Sequence, residues 1–272
     1  GAQKLQVVWF KRDLRAHDNR ALSSAALIGD VLPLFVAEPD LWMQSDMSGR
    51  QWDFVMESLD ELRTDLKGCG QVLIVRMGSV LDIFQELKKN NLIDALWSHQ
   101  ETGNNWTFNR DKKVAAWCRM HGIKWHELKN NGVQRSIQSR NGWAHSWNKH
   151  MEKPIVPLPN LKPQQYYPGF IPTAHDLGLS PDKCEFRQMG GRRNALDRLN
   201  TFIETRGRHY RKAMSSPTEG AQSCSRLSPH LAWGTVSVRE VSQAVKKRQN
   251  EIQRVSTGFT SDWRKSLKSL RS

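Results

Sequence analysis

A chain of 272 residues can bury the core of one large domain or two smaller ones, and with 38% apolar and 25% charged residues it is not a disordered or low-complexity protein. No apolar run reaches the roughly 20 residues a membrane helix needs, and Cys69, Cys118, Cys184 and Cys224 form no CxxC pair, so neither a metal site nor a disulfide framework is expected and an intracellular, cytoplasmic setting is the default. The net charge of +14 calls for an anionic partner, nucleic acid first.

In chain order, Leu5–Phe10 is an apolar run that reads as a buried first strand, and Asn19–Ile28 carries helical spacing. Between them lies the polar turn Lys11-Arg12-Asp13-Leu14-Arg15-Ala16-His17-Asp18. It can be a local ion-pair cluster with Asp18 or Asn19 capping the helix. It also stands at the carboxyl end of a first strand, where open α/β sheets gather ligands. Val31–Val36 is a second strand. Trp52, Val55, Met56, Leu59, Leu62 and Leu66 recur at helical spacing, with Gly68 as the closing residue. Val72–Val75 is a third strand, and Ser79 with Asp82 approximates a capping box for a helix to about Asn90. Ala95–Ser98, a helix from Asn104 to His121 stopped by Gly122, and Ile123–Leu128 complete the series. Strands alternating with helices predict a doubly wound, Rossmann-like parallel sheet of five strands. No GxGxxG follows the first strand, so the ordinary dinucleotide-binding version is not expected.

Residues 130–189 lose that rhythm. Seven prolines punctuate them, from Pro154 to Pro181, and only a short helical piece around Trp143–Met151 stands out. They read as a long connector packed on a domain. From Gly190 the pattern turns helical, with Leu196, Leu199, Phe202 and Ile203 on one face, and Ser237 with Glu240 forms a capping box for a helix to about Ile252. The expected organisation is an α/β domain over 1–129, a connector over 130–189 and the beginning of an all-helical domain over 190–272.

Two separated motifs carry a resemblance. Trp9-Phe10-Lys11-Arg12-Asp13-Leu14-Arg15, then Asp18-Asn19 and Ala21-Leu22, resembles the opening signature of the photolyase/cryptochrome family. Ser225-Arg226-Leu227-Ser228, followed by Gly234 and the Ser237 helix, resembles that family's FAD phosphate loop, with Tyr210 upstream where the family has a flavin-contacting tyrosine. Cys224 stands where the family often has Thr, and a thiol is the weaker donor. Read from the residues alone, Ser228-Pro229 is a helix cap followed by a first-turn proline.

The resemblance implies FAD held by Tyr210, Cys224, Ser225, Arg226, Leu227 and Ser228. It also implies an antenna chromophore (a folate, a deazaflavin or a second flavin), for which Glu101 in Ser98–Asn104 is the candidate residue. Glu101 reads equally as a loop carboxylate or a helix-dipole partner. The implied activity is light-driven splitting of pyrimidine dimers in DNA by electron transfer from reduced FAD, in a monomeric, nucleoid-associated protein. The alternatives are a cryptochrome-type photoreceptor without repair, and a module that binds only an antenna or nucleotide. Catalytic residues are not identifiable: the family continues beyond this chain, so residues 1–272 are expected to be an incomplete flavin site, inactive alone.

Overall fold

The computed structural model describes residues 4–130, 149–208 and 226–254, the side chains of 205–208 excepted. It divides into two compact units, residues 1–130 with 156–191, and residues 131–155 with 192–272.

The first unit is built on β1 (Leu5–Phe10), α1 (Arg20–Ile28), β2 (Asp30–Ala37), α2 (Pro39–Trp42), α3 (Gly49–Cys69), β3 (Ile74–Met77), α4 (Val80–Asn90), β4 (Ile93–His99), α5 (Asn105–Met120) and β5 (Lys124–Leu128). The five strands form one parallel sheet in the order β3-β2-β1-β4-β5, the doubly wound arrangement expected from the alternation. β1 is buried along its whole length, as a central parallel strand covered on both faces must be. Val7, Trp9, Leu34, Ile74, Phe84, Leu96 and Val114 are among the residues of the main core. Pro33 sits in β2, yet β2 pairs with β3 only from Leu34 onward, so its missing N–H breaks no β2–β3 bond.

Several local expectations are corrected. α3 starts earlier than the apolar spacing indicated, at a full capping box in which Ser48 Oγ accepts from Gln51 N and Gln51 Oε1 accepts from Ser48 N. It runs past Gly68 to a left-handed Gly70 at φ 116°. A Cβ on Gly70 would run into the Leu161 carbonyl oxygen, so glycine is needed there for both conformation and space. Ser79 is the N-cap of α4 but makes no side-chain cap bond. α2, unmarked by any apolar period, begins on Pro39 in the first-turn place that suits proline.

Residues 156–191, part of the expected connector, run along the first unit. Trp52 Nε1 donates to the Pro172 carbonyl at 2.8 Å. The Arg63 guanidinium donates to Pro168 at 2.9 Å and to Leu73. Arg187 pairs with both oxygens of Glu57, at 2.6 and 3.1 Å.

In the second unit, helices Arg192–Arg208 and Val238–Arg254 and the helical residues 226–233 enclose a small core of Ala195, Leu199, Ile203, Leu227, Val236 and Val245. Ser237 and Glu240 form the expected capping box, at 3.0 and 2.9 Å. Of the helical piece expected at Trp143–Met151, residues 143–148 lie outside the described residues and 149–152 are helical.

Candidate functional site

The charged turn after β1 lies at the carboxyl edge of the sheet, between β1 and β4, where the strand order reverses. Its acids are used inward. Asp13 is buried; its Oδ1 accepts from Lys11 N at 2.9 Å, and its Oδ2 lies 2.6 Å from His99 Nδ1 at the end of β4. Burial pushes the Asp13 carboxyl up, but the His99 hydrogen bond and charge, the Lys11 N–H and Arg15 outweigh it and hold the group below the usual carboxylate range. Asn19 Oδ1 caps α1 by accepting from Leu22 N, while its Nδ2 donates to the Arg15 carbonyl. Arg15 donates to the Asp18 carbonyl at 3.2 and 3.1 Å. Asp18, at φ 48°, gives its N–H to the Val156 carbonyl and accepts from Val156 N. So the family-like motif forms a closed scaffold that ties β1, β4, α1 and residue 156 together. His99 has no serine, threonine or cysteine hydrogen-bonded to it among the described residues, so the Asp13–His99 pair is not part of a nucleophilic triad.

Beside this scaffold sits a second, less satisfied cluster. The Glu101 side chain is buried; Oε1 accepts from Arg110 Nη2 at 2.7 Å, Oε2 accepts from Arg12 Nε at 3.2 Å, and Lys11 Nζ stands 4.0 Å away. Asp111 lies 3.4 Å from Arg110 and 3.8 Å from Lys11. Lys11 and Arg110 also lie over the Trp9 ring, at 4.5 and 4.8 Å. Glu38, one residue beyond β2, reaches Arg110 Nε only at 3.6 Å, and its Oε2 has no hydrogen-bond partner. Burial, partly offset by Arg110 and reinforced by the charge on Glu101, pushes the Glu38 carboxyl up to about 7. Burial also raises Asp111 against the pull of Lys11 and Arg110.

Glu38 and Arg110 open onto a cleft of about 410 Å³, lined also by Asp40, Ser79, Trp106 and Lys113. This size falls in the range of small-molecule sites. The cleft is formed by the ends of β2 and β3 with the first turns of α4 and α5. Glu101, the residue singled out from sequence, does not line it; its two oxygens are taken by Arg12 and Arg110. Sequence reasoning missed Glu38, Arg110 and His99. The only signal was position: Glu38 and His99 each fall at the carboxyl end of a strand.

Of the residues expected at the FAD phosphates, Tyr210, Cys224 and Ser225 lie outside the described residues. Arg226 and Ser228 are exposed in the helix 226–233, while Leu227 is buried in the second unit's core. Ser228 and Pro229 are inside that helix, so Ser228 is not its N-cap; the Ser-Pro pair mimicked a start signal that an earlier start overrides. His230 is buried with Nδ1 2.9 Å from Thr235 Oγ1, and burial, with Arg198 nearby, pushes its imidazole down to about 4. Among the described residues no cluster of His, Cys, Asp and Glu could hold a metal, and no helix is long and apolar enough to cross a membrane.

Residues 6–140 match the family model for DNA photolyase. The chain is 28% identical to the blue-light photoreceptor PHR2 of Arabidopsis thaliana, over 90% of this chain and 61% of that protein. It is 25% identical to a deoxyribodipyrimidine photo-lyase of Synechococcus, over 87% of this chain and 52% of the relative. A bacterial class III photolyase structure from Agrobacterium tumefaciens superposes with TM-score 0.74 at 22% identity, covering 99% of this chain and 57% of that one. The chain thus spans between half and about three fifths of the length of these proteins.

Proposed function

Through residues 6–140 this chain belongs to the photolyase/cryptochrome family, and from that premise we propose that it is part of a light-dependent flavoprotein that repairs pyrimidine dimers in DNA. The observation that carries repair over sensing is the placement of charge. The first unit holds 20 Lys and Arg against 20 Asp and Glu; the second holds 21 against 7. The whole excess of +14 therefore belongs to the unit that would carry the flavin. A phosphate backbone is attracted by such a surface, whereas a light sensor has no need of it.

Bound reduced FAD would supply the electron for splitting a dimer. The protein's part is to hold, orient and shield it. Arg226 and Ser228, both exposed in the helix 226–233, offer donors for the FAD phosphates, and Leu227 anchors that helix from within. This gives the three described residues of that set different roles, Arg226 and Ser228 toward the phosphates and Leu227 in packing. In the first unit, the Glu38–Arg110 cleft is our candidate seat for the antenna chromophore, and Glu101 acts behind it by holding Arg110.

The test is to purify the full-length protein, record its absorption spectrum, and incubate it with dimer-containing DNA in light and in darkness. Flavin bands with light-only repair are expected. Flavin bands without repair would leave the photoreceptor, and no flavin would leave an antenna-binding module.

A further inference from the structure

Four large apolar side chains stand in water along one edge of the parallel sheet. Leu27 is 88% exposed and Ile28 56%, at the end of α1 just ahead of β2. Leu92 is 66% exposed between α4 and β4, and Met120 is 79% exposed at the end of α5, ahead of β5. Each precedes the amino end of a strand, and β2, β1, β4 and β5 are neighbours in the sheet. The four side chains therefore lie along the amino edge, whose four strands span about 15 Å. Lys4, ahead of β1, belongs to the same row, since a Cβ on Gly29 would meet its carbonyl oxygen. Single exposed apolar residues are ordinary; a series of them on adjacent connections marks a contact surface.

The charge along that edge is mostly of one sign. Residues 4, 27–30, 88–94 and 119–124 hold Lys4, Lys88, Lys89, Arg119 and Lys124 against Asp30 and Asp94. One Asp94 oxygen is taken by Gln6 Nε2 at 2.7 Å. Lys89 meets Glu86 at 3.3 Å in an exposed pair that water screens. The unit as a whole carries equal numbers of acids and bases, and four of its acids, Asp13, Glu38, Glu101 and Asp111, cluster at the opposite, carboxyl edge.

Protruding aliphatic tips with a basic rim fit a surface that is apolar at one depth and anionic just above it. A bilayer with anionic headgroups has that layering. We infer that the amino edge of the α/β unit is a docking face for an anionic lipid surface. Leu27, Ile28, Leu92 and Met120 enter the boundary between headgroups and acyl chains, and the lysines and Arg119 meet the headgroup phosphates. No helix among the described residues is long and apolar enough to cross a membrane, so the contact these residues make is peripheral. A second copy applied face to face would set these cations against their own kind. Nucleic acid would take the cations but not the tips, none of which is aromatic and able to stack on a base. A folded protein would have to match tips set on three separate connections, whereas a fluid lipid surface needs no such match.

The test uses the full-length protein and vesicles of two compositions, phosphatidylcholine alone and phosphatidylcholine with phosphatidylglycerol in equal parts. Bound protein is read by sedimentation at low and high salt, and circular dichroism confirms the folding of each variant. Leu27→Ser with Leu92→Ser and Met120→Ser removes the tips and leaves every charge. Lys4→Glu with Lys124→Glu reverses part of the rim. The control is Lys183→Glu with Phe186→Ser, an exposed lysine and an 87% exposed phenylalanine on the segment that packs against the first turns of α3, away from the amino edge. The basic residues of the helical unit are the same in all four proteins, so their attraction to anionic lipid cancels in the comparison.

We expect the wild type to bind the anionic vesicles, less so at high salt, and to bind phosphatidylcholine alone weakly. The tip variant and the rim variant should each lose about tenfold or more in affinity for the anionic vesicles, and the control should match the wild type. Binding indifferent to the tip substitutions would reduce the attraction to bulk charge and overturn the inference. Equal losses in the control, or no vesicle binding by the wild type, would overturn it too. A wild-type dimer that dissociates in the tip variant would give the face to a second copy and also overturn it.

Discussion

At the scale of the residue, two buried carboxyls at one sheet edge are set in opposite directions. Asp13 is held low by His99 and the Lys11 N–H despite its burial. A carboxyl depressed in the folded state contributes stability above its unfolded value and loses it as pH falls through the folded one. Asp13→Ala leaves His99 and the turn's N–H without their acceptor, and should cost about 3–5 kcal/mol at neutral pH, read by urea unfolding. Glu38 behaves the other way. Raised from 4.5 to about 7, it costs stability as pH climbs through that interval. Glu38→Gln should therefore be neutral near pH 5 and stabilising at pH 8, by on the order of 3 kcal/mol at most. Equal melting temperatures for the two proteins at pH 8 would contradict the burial argument. Asp13, Asp18 and Asn19 were legible as an unusual turn, and the capping role of Asn19 was one of the two readings the sequence allowed. Their partners were not legible, because His99 lies 86 positions away and meets Asp13 only when β4 docks beside β1. Glu101 drew notice through its motif, yet its place behind Arg110 follows from α5 folding back over the sheet edge.

Elements were easier to read than their ends. All five strands and the helices α1, α3, α4 and α5 follow from apolar period and from breakers in the sequence. The ends depend on which of several adequate residues the tertiary structure uses. Gly68 and Gly70 both qualify as a stop for α3, and the close approach of Leu161 decides for Gly70. Ser48 and Ser79 both precede helices, but only Ser48 closes its box. Ser48→Ala should accordingly cost about 1 kcal/mol in thermal or urea unfolding, and Ser79→Ala close to nothing. A similar loss in both would show that the α4 cap bond forms after all. Gly70→Ala should destabilise more than Gly68→Ala, since it combines a left-handed backbone with a clash. At 226–233, Ser228-Pro229 is a good start signal inside a helix that has already begun.

For the whole molecule, charge divides where the two units divide. The α/β unit is balanced, and its acids Glu101 and Asp111 pair with Lys11 and Arg110 at the sheet edge; the helical unit holds the excess of basic groups. The composition gave the total, but only the division of the chain assigns it to one part. DNA binding should weaken steeply with salt, because basic groups on phosphates release condensed counterions. Lys247→Glu with Arg254→Glu, both exposed on the helix Val238–Arg254, should weaken binding and flatten its salt slope by about 1–2 units. Lys67→Glu with Lys89→Glu, exposed on α3 and α4, should change it far less. The reverse pattern would move the DNA surface to the α/β unit. The central claim is repair, and its most direct measurement is the count of pyrimidine dimers left in irradiated DNA after incubation with the full-length protein, blue light against darkness. The account predicts that dimers disappear in the light and persist in the dark; an undiminished count in the light, with flavin bound and DNA engaged, would contradict it.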